Sequence, residues 1–145
     1  MKFISKTIAD TKAIAKSISC YIKPGDIILL NGDLGAGKTT LTKYLCDNWQ
    51  VGDVVCSPSF TIIKEYTGKD FKIYHADLYR LTSEDELIEI GFEEILNDQS
   101  SVKIIEWPTI ANNYLEGLKL LDVTIQFDEK GDRVFEVNIN ECSRN

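Results

Sequence analysis

The chain has 145 residues, a net charge of −7 and a hydrophobic fraction of 43%. That length suits one domain, residues 1–145, which buries about two-thirds of its unfolded surface without disulfide or metal staples. An acidic chain with only three arginines, Arg80, Arg133 and Arg144, lacks the basic field that tight nucleic-acid binding needs. Nowhere is there an apolar run of about 18 residues, so no membrane-spanning helix is expected. The start, MKFISKTIAD, lacks the long apolar core of a signal peptide. The cysteines Cys20, Cys46, Cys56 and Cys142 are scattered and form no C-x-x-C pair. Their pattern fits small buried hydrophobes in a reducing cytoplasm rather than disulfides or zinc.

In chain order, Phe3 and Ile4 suggest a short edge strand. A helix is predicted from about Asp10 to Tyr21, with Ile14, Ile18 and Ile22 on one face and Thr7 or Asp10 as its cap. Pro24-Gly25-Asp26 is a turn into the apolar strand Ile27–Leu30. A second helix runs from Lys38 to about Trp49, broken by Gly52 and Asp53, with a short strand at Val54–Cys56. Phe60 to Tyr66 and Lys72 to Ala76 read as an antiparallel hairpin around Gly68-Lys69-Asp70. Ser83 to Leu96 is an amphipathic helix or helix pair interrupted near Gly91, with Ser83 and Glu86 placed for a capping box. Its six carboxylates between Glu84 and Glu94 are read as a solvated face rather than a docking face for a basic partner. Val102 to Glu106 is a strongly apolar strand. Leu120–Phe127 and Val134–Ile139 form a final pair joined at Glu129-Lys130-Gly131-Asp132. The sum is α/β, with a mixed parallel and antiparallel sheet.

Chemistry concentrates in IILLNGDLGAGKTTLTKYL, from Ile27 to Leu45. Gly32, Gly37, Lys38 and Thr39 satisfy G-x-x-x-x-G-K-[ST], the phosphate-binding loop. Glycines let backbone N–H groups approach phosphate oxygens, and the helix that starts at Lys38 points its positive end at the same anion. Lys38 supplies charge to the β/γ-phosphates, and the Thr39 hydroxyl is the usual magnesium ligand. Two strand-terminal acids are candidate partners: Glu106, expected beside the Ile27 strand and near Thr39, and Asp77, at the metal or polarising the attacking water. Thr61, in the loop after the P-loop helix, is a candidate switch residue, although Ser57, Ser59 and Thr61 equally suit plain turn hydrogen bonds. His75, the single histidine, reads as structural or as an orienter of a neighbour. Trp107 either covers the site or packs beside Pro108.

Four segments then coincide in order: GDLGAGKTT, SPSFT with a downstream EY, HADLYRL and IEWP. Together they resemble the bacterial TsaE family, also called YjeE, the small ATPase of the pathway that makes threonylcarbamoyladenosine in tRNA. The resemblance runs from about Thr11 to Pro108 and implies a three-layer P-loop NTPase-like fold with a mixed sheet. It further implies that Gly35, Ala36, Gly37, Lys38, Thr39 and Thr40 hold ATP phosphates, with Thr39 and Glu106 on Mg2+. Asp77 matches a family acid near the metal, Thr61 falls in the switch-like loop, and Trp107 also matches. Thr11 falls near the nucleotide and Arg133 near the base edge. Ser59 departs from the family's common threonine, and the segment after Pro108 is placed by strand pattern alone.

The expected activity is weak Mg2+-dependent ATP hydrolysis, by positioning and electrostatics rather than covalent chemistry. Neither Arg80 nor Arg133 lies in a recognisable lid, so no arginine finger is evident. The resemblance implies action with the TsaD and TsaB transferase proteins, hence indirectly on tRNA. A small-molecule kinase usually carries an arginine-rich lid, which three scattered arginines disfavour. A GTPase-type switch or non-hydrolysing binding module is the other alternative; N-K-x-D is absent, so adenine is preferred over guanine, and no LSGGQ-like segment points to an ABC-type ATPase.

Overall fold

The apolar segment at Ile27 forms a strand, β2 (Ile27–Asn31), buried along its first four residues. Burial on both faces is the signature of a central parallel strand covered by helices. In the computed structural model, which describes residues 1–58 and 60–141, β2 indeed lies between two parallel neighbours. Ser59, Cys142 and Arg144 lie outside the described residues.

Seven strands make one sheet in the order β1-β7-β6-β2-β5-β4-β3. Its parallel centre comprises β4 (Lys72–Asp77), β5 (Ser101–Glu106), β2 and β6 (Lys119–Phe127). The antiparallel strands are β3 (Ile63–Thr67), which pairs with β4, and β7 (Arg133–Glu141), which pairs with β6 and with β1 (Lys2–Ser5). The mixed sheet is thus as expected.

Alternation along β2 divides the core. Ile28 and Leu30 pack with Ile14, Ile18, Leu41 and Leu45 of helices α1 (Ile8–Ser19) and α2 (Lys38–Asn48). Ile27 and Leu29 point the other way, into a cluster with Leu87, Phe92, Leu96 and Leu115. These come from α3 (Glu84–Glu89), α4 (Phe92–Leu96) and α5 (Asn112–Leu115), the last preceded by a 3-10 turn at Pro108–Ala111. The result is three layers. Among the described residues no helix is long and apolar enough to cross a membrane.

Most elements fall where periodicity puts them, and the departures have local causes. Helix α1 starts at Ile8 because Thr7 is the cap: its hydroxyl accepts from the Asp10 N–H at 3.2 Å, and Asp10 Oδ2 accepts from the Thr7 N–H at 3.2 Å. Strand β3 starts three residues late. Ile62 adopts φ 68° and its N–H donates to the Pro58 carbonyl at 2.7 Å, so Phe60–Ile62 is a turn. No strand forms at Val54–Cys56, where Val54 is 85% exposed and has no sheet to bury it. The Ser83 capping box is absent as well. Glu86 instead accepts from the Thr82 N–H at 3.1 Å and hydroxyl at 2.9 Å, which holds its carboxyl below the usual range.

One charged group sits inside the parallel centre. Lys103 is 1% exposed, and its ammonium donates to the carbonyls of Asp98 (2.6 Å), Ser101 (3.1 Å) and Gly25 (3.2 Å). Three acceptors satisfy a buried ammonium whose pKa burial lowers. They also tie the turn before β2 to the loop before β5, and Ile27 of β2 lies level with Lys103 itself.

The Thr7 cap gives the first testable outcome. Thr7→Ala removes the reciprocal pair and is expected to cost about 1 kcal/mol, read as a fall of about 3 to 5 °C in melting temperature.

Candidate active site

The loop after β2 is built from close approaches. A Cβ on Gly32 would stand 2.9 Å from the Ile125 carbonyl oxygen, so only glycine fits against β6 there. Gly37 has φ +110°, a left-handed conformation, and a Cβ on it would meet Arg133 Nε at 3.3 Å. Arg133 Nε donates to the Ala36 carbonyl at 2.9 Å, so β7 braces the loop from outside. Helix α2 then begins at Lys38, with the Leu41 N–H donating to the Gly37 carbonyl at 2.9 Å.

Sheet register brings the acids to this loop. Leu30 of β2 is level with Glu106 of β5, and Glu106 is level with Asp77 of β4. Both acids therefore end their strands at the carboxyl edge of the parallel centre, where open α/β sheets bind ligands. Glu106 is 3% exposed and Asp77 8%. Lys38 faces them; its Nζ donates to the Gly32 carbonyl at 2.7 Å and lies 3.7 Å from the centroid of the Trp107 ring. Burial lowers the Lys38 pKa, an effect opposed by the charges of Glu106, Asp77 and Asp33.

Trp107 reaches that position through an unusual backbone. It has φ 54° and ψ 58°, although a residue before proline ordinarily stays extended. Such a conformation costs about 1 to 3 kcal/mol and persists only where its surroundings enforce it. Here the indole packs at 4.9 Å from the Tyr79 ring and covers the lysine. Trp107 is therefore part of the site wall and not simple packing beside Pro108.

A cleft of about 420 Å³ lies between these walls. Gly35, Gly37, Lys38, Thr39 and Thr40 line it from the loop, and Asp77, Glu106, Trp107 and Arg133 from the strand ends. Ala36 is 1% exposed and is not among its lining residues; its carbonyl is taken by Arg133. Thr61 is exposed in the turn before β3 and does not line the cleft either, whereas Ser57 does. A second cavity of about 330 Å³ shares Gly37, Thr40 and Arg133 with the first. Thr11 lies there, its hydroxyl 2.6 Å from that of Ser5, beside Ile8, Tyr44 and Phe135.

Sequence reasoning missed several of these neighbours. Arg80, which was not expected at the site, borders the cleft as Arg133 does, with its Cζ 4.5 Å from the Phe60 ring centroid. Tyr79 and Arg80 directly follow HADL, so the end of β4 was the available signal. Ile8 is 67% exposed at the mouth of the second cavity. No motif marks Ile8, Tyr44 or Phe135, which come together only through tertiary structure.

Two outcomes follow for phosphate binding. Gly37→Ala strains the loop and presses on Arg133, and is expected to lower triphosphate affinity by about tenfold or more, measured by calorimetry. The lowered Lys38 pKa means that the ammonium is present below that value and lost as pH rises through it. Affinity for inorganic triphosphate should therefore decline on the alkaline side before an ordinary lysine would deprotonate, and Lys38→Met should abolish that dependence.

Comparison with known proteins gives a family and a fold. The family model described as threonylcarbamoyl adenosine biosynthesis protein TsaE matches residues 5–135. A Bacillus subtilis protein named tRNA threonylcarbamoyladenosine biosynthesis protein TsaE is 40% identical over 93% of this chain and 89% of its own length. One of the same name from Rickettsia conorii is 39% identical, covering 90% of this chain and 74% of that protein. The crystal structure of Bacillus subtilis YdiB superposes with a TM-score of 0.76 and 34% identity, covering 94% of this chain and 83% of YdiB. The mixed-sheet fold thus has a solved counterpart, and the chain belongs to the TsaE family.

Proposed function

We propose that this chain binds magnesium–ATP across the two cavities and hydrolyses it slowly, as the cytoplasmic ATPase that serves threonylcarbamoyladenosine formation in tRNA with TsaD and TsaB. The observation that carries the reading is the convergence of Lys38, Glu106 and Asp77 at one sheet edge, opposite the N-terminus of α2. A lysine and a helix start hold phosphates, while two carboxylates have no reason to lie beside an anion unless a cation sits between.

The donor set fits magnesium. Thr39 and Glu106 offer hydroxyl and carboxylate oxygens, the hard donors that this ion takes. Among the described residues no cluster of three His, Cys, Asp or Glu forms a protein cage, and magnesium in such sites needs only one or two carboxylates beside the phosphates. Thr39 and Glu106 would hold the ion, which would supply positive charge against the charge that develops on the phosphates during transfer.

The chain's own groups do the rest. Backbone N–H groups from Gly35 to Thr40 and the Lys38 ammonium hold the phosphate tail. Asp77 Oδ1 accepts from the Tyr79 N–H at 3.0 Å, which fixes the carboxylate and leaves its second oxygen to orient water. Trp107 keeps bulk water from the lysine. Ile8, Tyr44 and Phe135 give the second cavity an apolar lining suited to a flat base. Arg133 is committed to the Ala36 carbonyl, and Arg80 rests over Phe60 on the exposed rim. With neither fixed over the phosphates, hydrolysis by the isolated chain is slow and gains from the partner complex.

Glu106→Ala is the deciding variant. It is expected to lose the magnesium-dependent part of ATP binding and to cut hydrolysis by about a hundredfold, and to leave threonylcarbamoyladenosine low in tRNA from depleted cells. Normal binding of magnesium–ATP together with normal modification would refute the assignment. Competition between ATP and GTP at equal concentration tests the base.

A further inference from the structure

The single histidine is buried, with no exposed surface, between the proposed metal ligand and the loop on the far side of the cleft. His75 lies two residues before Asp77 on β4, so both side chains share one face with Glu106 of the neighbouring strand. His75 Nε2 is 2.6 Å from Glu106 Oε2. On the opposite side of the ring, Nδ1 is 3.4 Å from the Tyr66 hydroxyl, and that hydroxyl donates to the Cys56 carbonyl at 3.2 Å. Cys56 immediately precedes Ser57, which lines the cleft. Three contacts, two of them buried and the third partly so, therefore link Glu106 to the Cys56–Ser57 segment.

A satisfied core histidine needs only partners. This one takes a particular oxygen. A glutamate at a strand end can rotate about its terminal torsions and present either oxygen, or both, to the cleft. Engaging Oε2 removes that freedom and leaves Oε1 for the site. A neighbour that orients a ligating carboxylate typically changes metal affinity by tenfold or more when removed.

We propose that His75 is a positioning residue for Glu106, and that Tyr66 sets the histidine according to how the Cys56–Ser57 segment is seated. The proposal rests on the reading of Glu106 as a magnesium ligand. It makes the carboxylate geometry depend on the position of the Cys56–Ser57 segment, so that displacement of this loop would loosen the metal site without touching the phosphate loop.

The full-length chain supplies the test, because one histidine gives one set of imidazole nitrogen resonances in 15N NMR. Without nucleotide, Glu106→Gln is expected to shift Nε2 and Tyr66→Phe to shift Nδ1; an unmoved Nε2 in Glu106→Gln overturns the proposal. Calorimetry then measures ATP affinity with magnesium and with chelator. In His75→Phe the gain from magnesium should fall by about tenfold while the magnesium-free affinity stays unchanged. His75→Gln, whose amide can still reach Oε2, should recover most of the gain, and Tyr66→Phe should lose part of it. A full magnesium gain in folded His75→Phe overturns the proposal, as does an equal loss with and without magnesium. Should His75→Phe fail to fold, Tyr66→Phe decides: a full gain with an unmoved Nδ1 overturns it. If the wild-type chain gains nothing from magnesium, the ligand reading of Glu106 fails and this proposal fails with it, a result distinct from intact wild-type behaviour with indifferent histidine variants.

Discussion

Two carboxylates and a lysine, each more than nine-tenths buried, face one another at the end of the parallel sheet. Desolvating three charges is expensive, and it is tolerable here because opposite signs lie close together and each group keeps a hydrogen-bonded or charged neighbour. This constraint organises the surroundings. The register of the parallel strands, held in part by Lys103, brings Leu30, Glu106 and Asp77 into one row. A slip of one residue in β5 would turn Glu106 to the opposite face and put an apolar side chain against Lys38. Register is thus as much a part of the site as the residues themselves.

The indole of Trp107 belongs to the same arrangement. It lies over a lysine whose other close contact is a carbonyl of its own loop. That lysine is held by an aromatic face and one carbonyl, with no carboxylate hydrogen-bonded to its ammonium among the described residues. The left-handed conformation of Trp107 stores strain at the point where the fold commits an aromatic ring to a polar centre.

Much of this was legible in the sequence because it is local. The apolar run before Gly32, the helix that starts at Lys38 and the acids closing VKIIE and KIYHAD are short-range patterns, and they place three of the site's charges correctly. Thr7 and Asp10 likewise announce a cap by spacing. What sequence did not supply is partly local competition between neighbouring partners and partly dependent on distant segments. Ile62 turns with a positive φ against β propensity because Pro58 accepts its N–H. Glu86 chooses Thr82 over Ser83. Thr61 had the right residue type for a switch, yet the turn at Pro58 carries it away from the cleft and leaves Ser57 on the wall. Ile8, Tyr44 and Phe135 meet only after β1 and β7 pair, an event no window of sequence encodes.

That pairing has a consequence for the order in which the molecule becomes competent. The second cavity has walls from Ile8 and Thr11 at one end of the chain and from Arg133 and Phe135 near the other. Strands β1 and β7 join these ends, and the amino group of Met1 donates to the Val137 carbonyl at 2.8 Å. During synthesis the phosphate loop leaves the ribosome early, but its brace from Arg133 and half the lining of its neighbouring cavity do not yet exist. A partly made chain has the loop without the pocket. Completion of the last strand, about a hundred residues downstream of the loop, is the event that braces the glycine-rich turn and closes the second cavity.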